Sequence, residues 1–251
     1  MIRAALGTIS LGALALFALA CAPEDPQPRP AIVQAVPWTA KESLSYNLVA
    51  KGGEVDGRCL LTTEPDISPG RTQLSHLCSD TTEKHRDDRI TAVAPTTLAP
   101  LSAMRTIVNL EKNTTTTYTS TYDGNSVALK ADVNGKTNDT SRKLPPANRK
   151  VTEPTWYDDE SLFWIVRSVT LKQGFEGTYT NLNAANGRVF DVRVKVEYQE
   201  STTVPAGTFT AWKVRIQTDS VVQEFWIDAA TPHRVVKARI ERINYVLSAI
   251  E

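Results

Sequence analysis

The stretch TTVPAGTFTAWKVRI (Thr202–Ile216) decides the fold class, because it predicts a tight turn followed by a strand. From Thr208 onward, apolar and polar residues alternate, which is typical of a strand that buries one face. Pro205 fixes the backbone φ angle ahead of the turn, and Gly207 permits the tight turn itself. No candidate catalytic residue stands beside the motif, so we interpret it as structural, with Phe209 entering the core.

The same alternation recurs along most of the chain. Segments 42–49 (ESLSYNLV) and 188–198 (RVFDVRVKVEY) alternate apolar with polar residues, and 123–125 (DGN) and 134–135 (NG) have the composition of hairpin turns. We therefore predict one mainly β domain over residues 41–251. Alternation of this kind predicts antiparallel strands, with one short helix among them.

Residues 155–171 (TWYDDESLFWIVRSVTL) are the best candidate for that helix. Asp158 or Asp159 can cap its start, and Glu160 adds negative charge near the positive end of the helix dipole. The β-branched valines of the segment leave a strand as the alternative. Four apolar residues give one face at helical spacing: Leu162, Phe163, Ile165 and Val166.

The first residues differ in composition from the rest of the chain. Residues 1–20 carry one charge, Arg3, followed by an apolar run, which is typical of a bacterial export signal. Residues 18–21 (ALAC) resemble the lipobox of bacterial lipoproteins, in which the cysteine is diacylated and becomes the mature N-terminus. The resemblance identifies Cys21 as the lipidation site. Ordinary signal-peptidase cleavage is the alternative, because Ala18 stands where the lipobox prefers leucine.

Residues 21–40 are predicted to be a lipid-anchored, proline-rich linker. Five prolines fall between Ala22 and Pro37, and a segment of this kind is extended and stiff. Because two or more acyl chains hold a protein firmly on a bilayer, we expect a cell-envelope protein that is attached to a membrane and faces the periplasm or the outside.

Two cysteines remain, and an exported compartment is oxidising. Cys59 and Cys78 both lie in strand-like segments, so we predict one disulfide between them. The alternative is a metal site that adds His76 and His85. The spacing matches no zinc-finger pattern and contains no C-x-x-C pair, so we predict no metal site.

The sequence offers little sign of catalysis. It contains no G-x-S-x-G, P-loop, G-x-G-x-x-G or H-E-x-x-H motif, so we predict no catalytic residues and no cofactor. Lys plus Arg and Asp plus Glu number 28 each, and this balance argues against a nucleic-acid partner. The side chains chosen as candidate ligand contacts are three tryptophans and one arginine within an apolar segment: Trp164, Arg167, Trp212 and Trp226. For Arg167, a structural ion pair is the alternative.

The mature part resembles a family of exported bacterial proteins known as a domain of unknown function. The motifs that carry the resemblance are an E-x-L-x-Y strand (42–46), a T-L-x-P turn (97–100), a Y-D-D-x-S helix running into T-L-K-Q-G (157–174), the V-P-A-G-T-F turn (204–209) and P-H-R-V-V (232–236). The resemblance implies a long antiparallel sheet curled into an open barrel around a helix, so the expected fold is a curved antiparallel sheet, an open β-barrel-like domain with one short helix. It implies no activity and no site residues.

Two functions remain open at this stage. The first is a binding or structural module of the cell envelope, for an apolar small molecule or an envelope partner protein. The alternative is an envelope hydrolase acting on glycan or peptide, in which Asp158, Asp159 and His233 converge in a cleft. We favour the non-enzymatic function, because an active site needs a convergent set of groups that the sequence does not supply.

Overall fold

The structure is a computed structural model that describes residues 31–144, 156–218 and 221–251. The predicted signal peptide and the predicted lipidation site, Cys21, lie outside the described residues. Within those residues, no helix has both the length and the apolar character needed to cross a membrane.

Strands dominate the described residues, and all of them belong to one sheet. The strands are β1 Glu42–Val49, β2 Val55–Ser68, β3 Arg71–Asp80, β4 His85–Val93, β5 Pro100–Asn109, β6 Thr114–Asp123, β7 Ser126–Val133, β8 Lys136–Lys143, β9 Trp156–Asp158, β10 Glu176–Asn183, β11 Arg188–Val204, β12 Gly207–Gln217, β13 Val222–Asp228, β14 Val235–Ile240 and β15 Ile243–Ile250. A 3-10 turn, Asp159–Ser161, leads into the short helix α1, Leu162–Ile165.

The order of the strands follows the chain with one exception at the centre of the sheet. From one edge the order runs β8 to β1, then β15 down to β9 at the other edge. Neighbouring strands are antiparallel, apart from β9 and β10, which are parallel. The β9–α1–β10 crossover explains this parallel pair, because a helix between two strands brings the chain back in its original direction.

The turn motif that opened the sequence analysis connects β11 to β12. Val204 pairs with Gly207 across a two-residue loop, and Gly207 has a φ of 141°, a backbone conformation that favours glycine. Phe209 is partly buried and packs against the core. Along β11, Val192, Val194 and Val196 are buried, as the alternation predicts.

The sheet curls around the 3-10 turn and α1. Phe163 of the helix meets Tyr46 of β1 edge-on at a centroid distance of 6.1 Å, and Phe225 of β13 at 5.5 Å. Trp164, Ile165 and the residues of the concave sheet face belong to the same buried cluster. The predicted fold class is confirmed: a single open, curved antiparallel sheet with one short helix.

Side chains from strands near the two ends of the sheet meet, although the backbone does not close it. Tyr122 of β6 stacks on Trp156 of β9 at a centroid distance of 5.4 Å, and its hydroxyl donates a hydrogen bond to Asp158. A second small core fills the same gap, with Leu129 from β7 and Leu182 from β10 among its buried members.

The described end of the predicted linker packs on the domain. Ile32, Val33 and Trp38 are buried in the main core, and the Gln34 amide donates to the Ser168 carbonyl over 2.8 Å. A stiff spacer would leave its side chains in solvent. Burial of three large apolar side chains is favourable, however, because it removes apolar surface from water. Residues 32–38 therefore lie against the folded domain.

The structure joins Cys59 and Cys78 by a disulfide. The two residues lie directly opposite each other on β2 and β3, with their Cα atoms 4.1 Å apart. The bridge therefore links neighbouring strands on the concave face of the sheet.

Candidate binding cavity inside the curled sheet

A cavity of about 340 Å³ lies inside the curl of the sheet, beside the 3-10 turn. We call it the inner cavity. Strands β4 and β5 and the turn give it ionisable side chains: Arg89, Arg105, Asp159 and Glu160. The rest of its wall is mixed. An apolar part comes mainly from β11, β12, β14 and β15: Phe190, Val192, Ile216, Ile240 and Tyr245. Polar side chains, mainly from β10, β11 and β13, complete it, among them Asn181, Asn183, Arg188 and Gln223.

Asp87, which lines a neighbouring cavity and not the inner one, holds the two arginines of this wall in place. We call the arrangement the arginine–carboxylate cluster: Asp87, Arg89, Arg105 and Glu160. Arg105 donates from Nε and Nη2 to the two Asp87 oxygens, each over 2.8 Å. Arg89 donates to the same carboxylate over 3.3 and 2.7 Å. Burial alone would raise the pKa of Asp87, but the hydrogen bonds and charges of the two arginines lower the pKa to about 2.

Glu160 reaches the cluster from the 3-10 turn and has no comparable partner. Its side chain is 1% exposed, with Oε2 lying 3.3 Å from Arg89 Nε and Oε1 3.9 Å from Arg105 Nη1. Neither oxygen has a hydrogen-bond partner among the described residues, because both guanidinium groups are aligned on Asp87. Burial therefore dominates and raises the pKa of Glu160 to about 8, and the nearby Asp159 carboxylate adds to the shift.

His76 extends this polar row by one strand. It lies opposite Arg89 on the neighbouring strand, and Arg89 lies opposite Arg105. The ring is 3% exposed and is held edge-on by Phe163 and Tyr245 at centroid distances of 5.1 and 5.8 Å. Burial lowers the pKa of His76 to about 3, and the charge of Arg89 adds to the shift, so the imidazole is neutral at pH 7.

The raised pKa of Glu160 predicts a pH-dependent stability. Between pH 4.5, the ordinary pKa of a glutamate, and about pH 8, the folded state holds a proton that the unfolded state has released. The stabilisation that this proton gives to the folded state is therefore complete below pH 4.5 and is lost as the pH rises to about 8. Asp158 and Asp159 shift in the same direction. The pKa of His76 is lowered, which has the opposite effect on stability, but this effect is confined to pH values below its ordinary pKa of 6.5.

We therefore expect the free energy of unfolding to fall by about 1–2 kcal/mol between pH 6.5 and 8.5. Glu160→Gln is expected to flatten this slope, because the amide does not ionise. Glu176, a carboxylate at the surface, provides the matched control, and Glu176→Gln should keep the wild-type slope. Urea unfolding at several pH values measures all three proteins. An unchanged slope in Glu160→Gln would show that Glu160 is ionised throughout.

Two of the predicted ligand contacts have their polar groups engaged within the fold. Trp164 Nε1 donates to Thr63 Oγ1 over 2.7 Å. Arg167 forms an ion pair with Glu42 over 2.7 Å, as in the structural alternative, and donates to the carbonyl oxygens of His233 and Pro232. Neither side chain is among the described residues that line the inner cavity.

The other two predicted contacts also lie away from the cavity lining. Trp212 is partly buried and packs against the main core. Trp226 donates to Glu200, and the ammonium groups of Lys213 and Lys237 lie 5.6 and 4.8 Å from its ring centroid. Because Phe225 and Ile227 point into the core, strand alternation turns Trp226 to the convex face.

The three residues of the hydrolase alternative have separate surroundings. Asp158 caps the 3-10 turn by accepting from the Ser161 amide, as the capping interpretation predicts. Asp159 accepts from Asn183 and from the Ala184 amide, and it lines the inner cavity. The His233 ring contacts the Asp228 carbonyl through Nδ1.

The sequence analysis did not select the residues of the arginine–carboxylate cluster. The β4 sequence HRDDRITAV begins with a run of polar and charged residues. Because no apolar residues alternate with them, the pattern does not show that Asp87 and Arg89 face inward. Glu160 had been interpreted only as a dipole partner of the helix. The sequence does contain one signal for Glu160, the series of three consecutive acidic residues. A turn points the three side chains in different directions, and only Asp158 is needed to cap it.

The comparisons with known proteins identify a family and give weak likenesses to solved structures. The sequence model of the family described as "Protein of unknown function (DUF3108)" matches residues 79–243. No curated protein matches the chain. The matched range contains the predicted motifs from T-L-x-P to P-H-R-V-V, and the opening strand lies before it.

The chain is similar in structure to a beta-barrel-like protein of domain of unknown function DUF1849 from Brucella abortus, with a TM-score of 0.45, 11% identity, and coverage of 84% of this chain and 97% of that one. It is also similar to a protein from Parabacteroides distasonis described as a lipoprotein, with a TM-score of 0.32, 10% identity, and coverage of 86% and 97%.

Proposed function

This chain belongs to the DUF3108 family of proteins of unknown function, and for it we propose the function of a binding module of the cell envelope. It is attached to a membrane through lipidated Cys21 and holds a small amphiphilic molecule in the inner cavity. The export signal and the lipobox-like residues before Cys21 support the location. The observation that carries the binding function is the inner cavity, which combines ionisable and polar groups with an apolar part of its wall.

The size and lining of the cavity support a small ligand. Its volume of about 340 Å³ lies at the lower end of the range of about 300–1,000 Å³ that is usual for ligand pockets. Phe190, Val192 and Ile216 offer apolar surface on one side, where a hydrocarbon or aromatic body leaves water favourably.

The polar side supports a ligand that also carries a polar group. Glu160 and His76 are buried, and the Glu160 oxygens and His76 Nε2 have no hydrogen-bond partner among the described residues. A buried polar atom without a partner has a free-energy cost of about 1–3 kcal/mol. A ligand group that donates or shares a proton here would remove that cost. This requirement changes the expected ligand from purely apolar to amphiphilic.

The test begins with the purified protein in its native lipidated form. Extraction with organic solvent followed by mass spectrometry should release one small amphiphile in about equal molar amount to the protein. The Cys21 acyl chains remain covalently attached, so they do not appear in the extract. An empty extract, together with no uptake of the amphiphilic dye anilinonaphthalene sulfonate, would remove this function and leave an envelope partner protein as the remaining candidate.

Filling the cavity should weaken dye binding. Val192 lines the inner cavity, and Val192→Phe is expected to raise the dissociation constant of the dye by about tenfold or more. Val189 lies three residues earlier on the same strand, is 39% exposed, and provides the matched control. A fluorescence titration of Val189→Phe should give the wild-type constant. If both variants bind like the wild type, the dye occupies another place.

A further inference from the structure

The disulfide has a chemical neighbourhood that its role as a strand link does not explain. The sulfur atoms of Cys59 and Cys78 and a ring nitrogen of His76 lie within 4.8 Å of one another. Cys59 and Cys78 are directly opposed, and His76 precedes Cys78 by two residues on the same strand face. Two sulfur atoms and one imidazole are the donors that zinc prefers in proteins.

His76 is already held in a position that suits a metal ligand. The ring is 3% exposed and lies between Phe163 and Tyr245. Its Nε2 atom has no hydrogen-bond partner among the described residues. A buried nitrogen without a partner has a free-energy cost in this state, and a metal bond would remove that cost.

The cluster can also be reached from outside. Cys78 lines a second cavity of about 350 Å³, which lies along β3, β4 and β5. His76 lines the inner cavity, and Tyr245 lines both cavities. A reductant and a metal ion therefore have an entry path, which a metal site requires.

We propose that reduction of the Cys59–Cys78 disulfide creates a binding site for Zn²⁺, made of the two thiolates and His76. A dithiol reductant donates two electrons and two protons to the bridge, becomes a disulfide itself, and leaves two thiols. Metal binding then releases two thiol protons to solvent. Ligands around a tetrahedral zinc lie roughly 3–4 Å apart, so the three atoms, already within 4.8 Å of one another, need only small movements to reach that spacing. Water fills the fourth position.

The test uses cobalt, because Co²⁺ bound to thiolates absorbs in the near ultraviolet and Zn²⁺ does not. The full chain carries Cys21→Ser in every sample, so that two thiols remain. The protein is reduced with a dithiol, freed of it by gel filtration without oxygen, and titrated with Co²⁺. We expect one Co²⁺ per chain with a thiolate absorption band, displacement by Zn²⁺, and at least about 100-fold weaker binding to the oxidised protein.

Two histidine variants form the matched pair. His76→Asn should weaken Co²⁺ binding by about tenfold or more. His85→Asn should leave it unchanged, because the exposed His85 contacts Asp80 and stands outside the three-residue cluster. Circular dichroism checks that both variants fold. Equal affinity in the oxidised protein, an absent thiolate band in the reduced one, or wild-type affinity in His76→Asn would each overturn the proposal.

A second measurement does not depend on any histidine variant. Bound Zn²⁺ should slow alkylation of both Cys59 and Cys78 by iodoacetamide by about tenfold or more, because a coordinated thiolate is a poorer nucleophile. Peptide mass spectrometry measures each cysteine separately. Unchanged alkylation of either cysteine would exclude it as a ligand and overturn the proposal.

Discussion

Replacing Arg167 with alanine is expected to lower the free energy of unfolding by about 3–5 kcal/mol, because it breaks a buried ion pair and leaves one partner behind. Arg167 is 3% exposed and lies 2.7 Å from Glu42, whose side chain is 7% exposed. The guanidinium also donates to two carbonyl oxygens of the loop before β14 and lies 4.8 Å from the Trp38 ring centroid. The single change therefore weakens contacts with three parts of the fold: β1, the loop before β14 and Trp38.

The lower end of that range is the more realistic, because Glu42 keeps a second partner. Arg234 Nε lies 2.7 Å from the other Glu42 oxygen. The double variant Arg167→Ala, Glu42→Gln should lose less stability than the sum of the two single variants, since the buried charge is removed together with its partner.

The matched control is an ion pair of nearly the same length at the surface. Lys195 Nζ lies 2.8 Å from Glu176, with exposed fractions of 49% and 55%. Lys195→Ala should change the free energy of unfolding by less than about 1 kcal/mol. Urea denaturation compares the variants. If Arg167→Ala is as stable as the wild type but no longer binds a ligand, Arg167 contacts the ligand and does not stabilise the fold.

Trp164→Ala is the second change with a large expected effect, also a loss of about 3–5 kcal/mol. The side chain is 2% exposed in the main core, so its removal leaves a cavity. The change also leaves the hydroxyl of Thr63, which is 1% exposed, without its donor. The loss thus combines missing apolar burial with an unpaired polar atom.

Two further variants separate these contributions. Trp164→Phe keeps most of the apolar volume and loses the bond to Thr63, so we expect a loss of about 1–3 kcal/mol. Trp212, which is only partly buried, provides the control, and Trp212→Ala should cost clearly less than Trp164→Ala. Denaturant unfolding measures each protein. A Trp164→Ala protein with wild-type stability would mean that the helix does not depend on this side chain.

The fold could be predicted from the sequence wherever one face of a strand is buried. In β11 and β12, Val192, Val194 and Val214 alternate with polar residues, and that period of two is a local property of the chain. The turn at Gly207 could be predicted for the same reason. The pairing of β1 with β15 could not be predicted, because it joins segments about 195 residues apart and no local pattern encodes such a register.

The candidate site was harder to predict for a physical reason. Inward-facing charges break the rule that apolar residues mark the buried face, so Arg89 and Arg105 gave no signal in the alternation. Their burial depends on Asp87, with which both pair, and that partnership exists only once β4 and β5 are aligned. The tryptophans were chosen because aromatic residues often line pockets, but Trp164 and Trp226 find partners within the fold instead.

The meeting of β1 and β15 at the middle of the sheet has a consequence for the growing polypeptide. The hairpins from β2 to β8 can assemble as soon as they are synthesised, but the free side of β1 waits for a partner encoded almost at the opposite end. During that interval it presents an open row of amide and carbonyl groups, the kind of surface that recruits strands from other chains. A nascent molecule is therefore exposed to aggregation at what later becomes its centre.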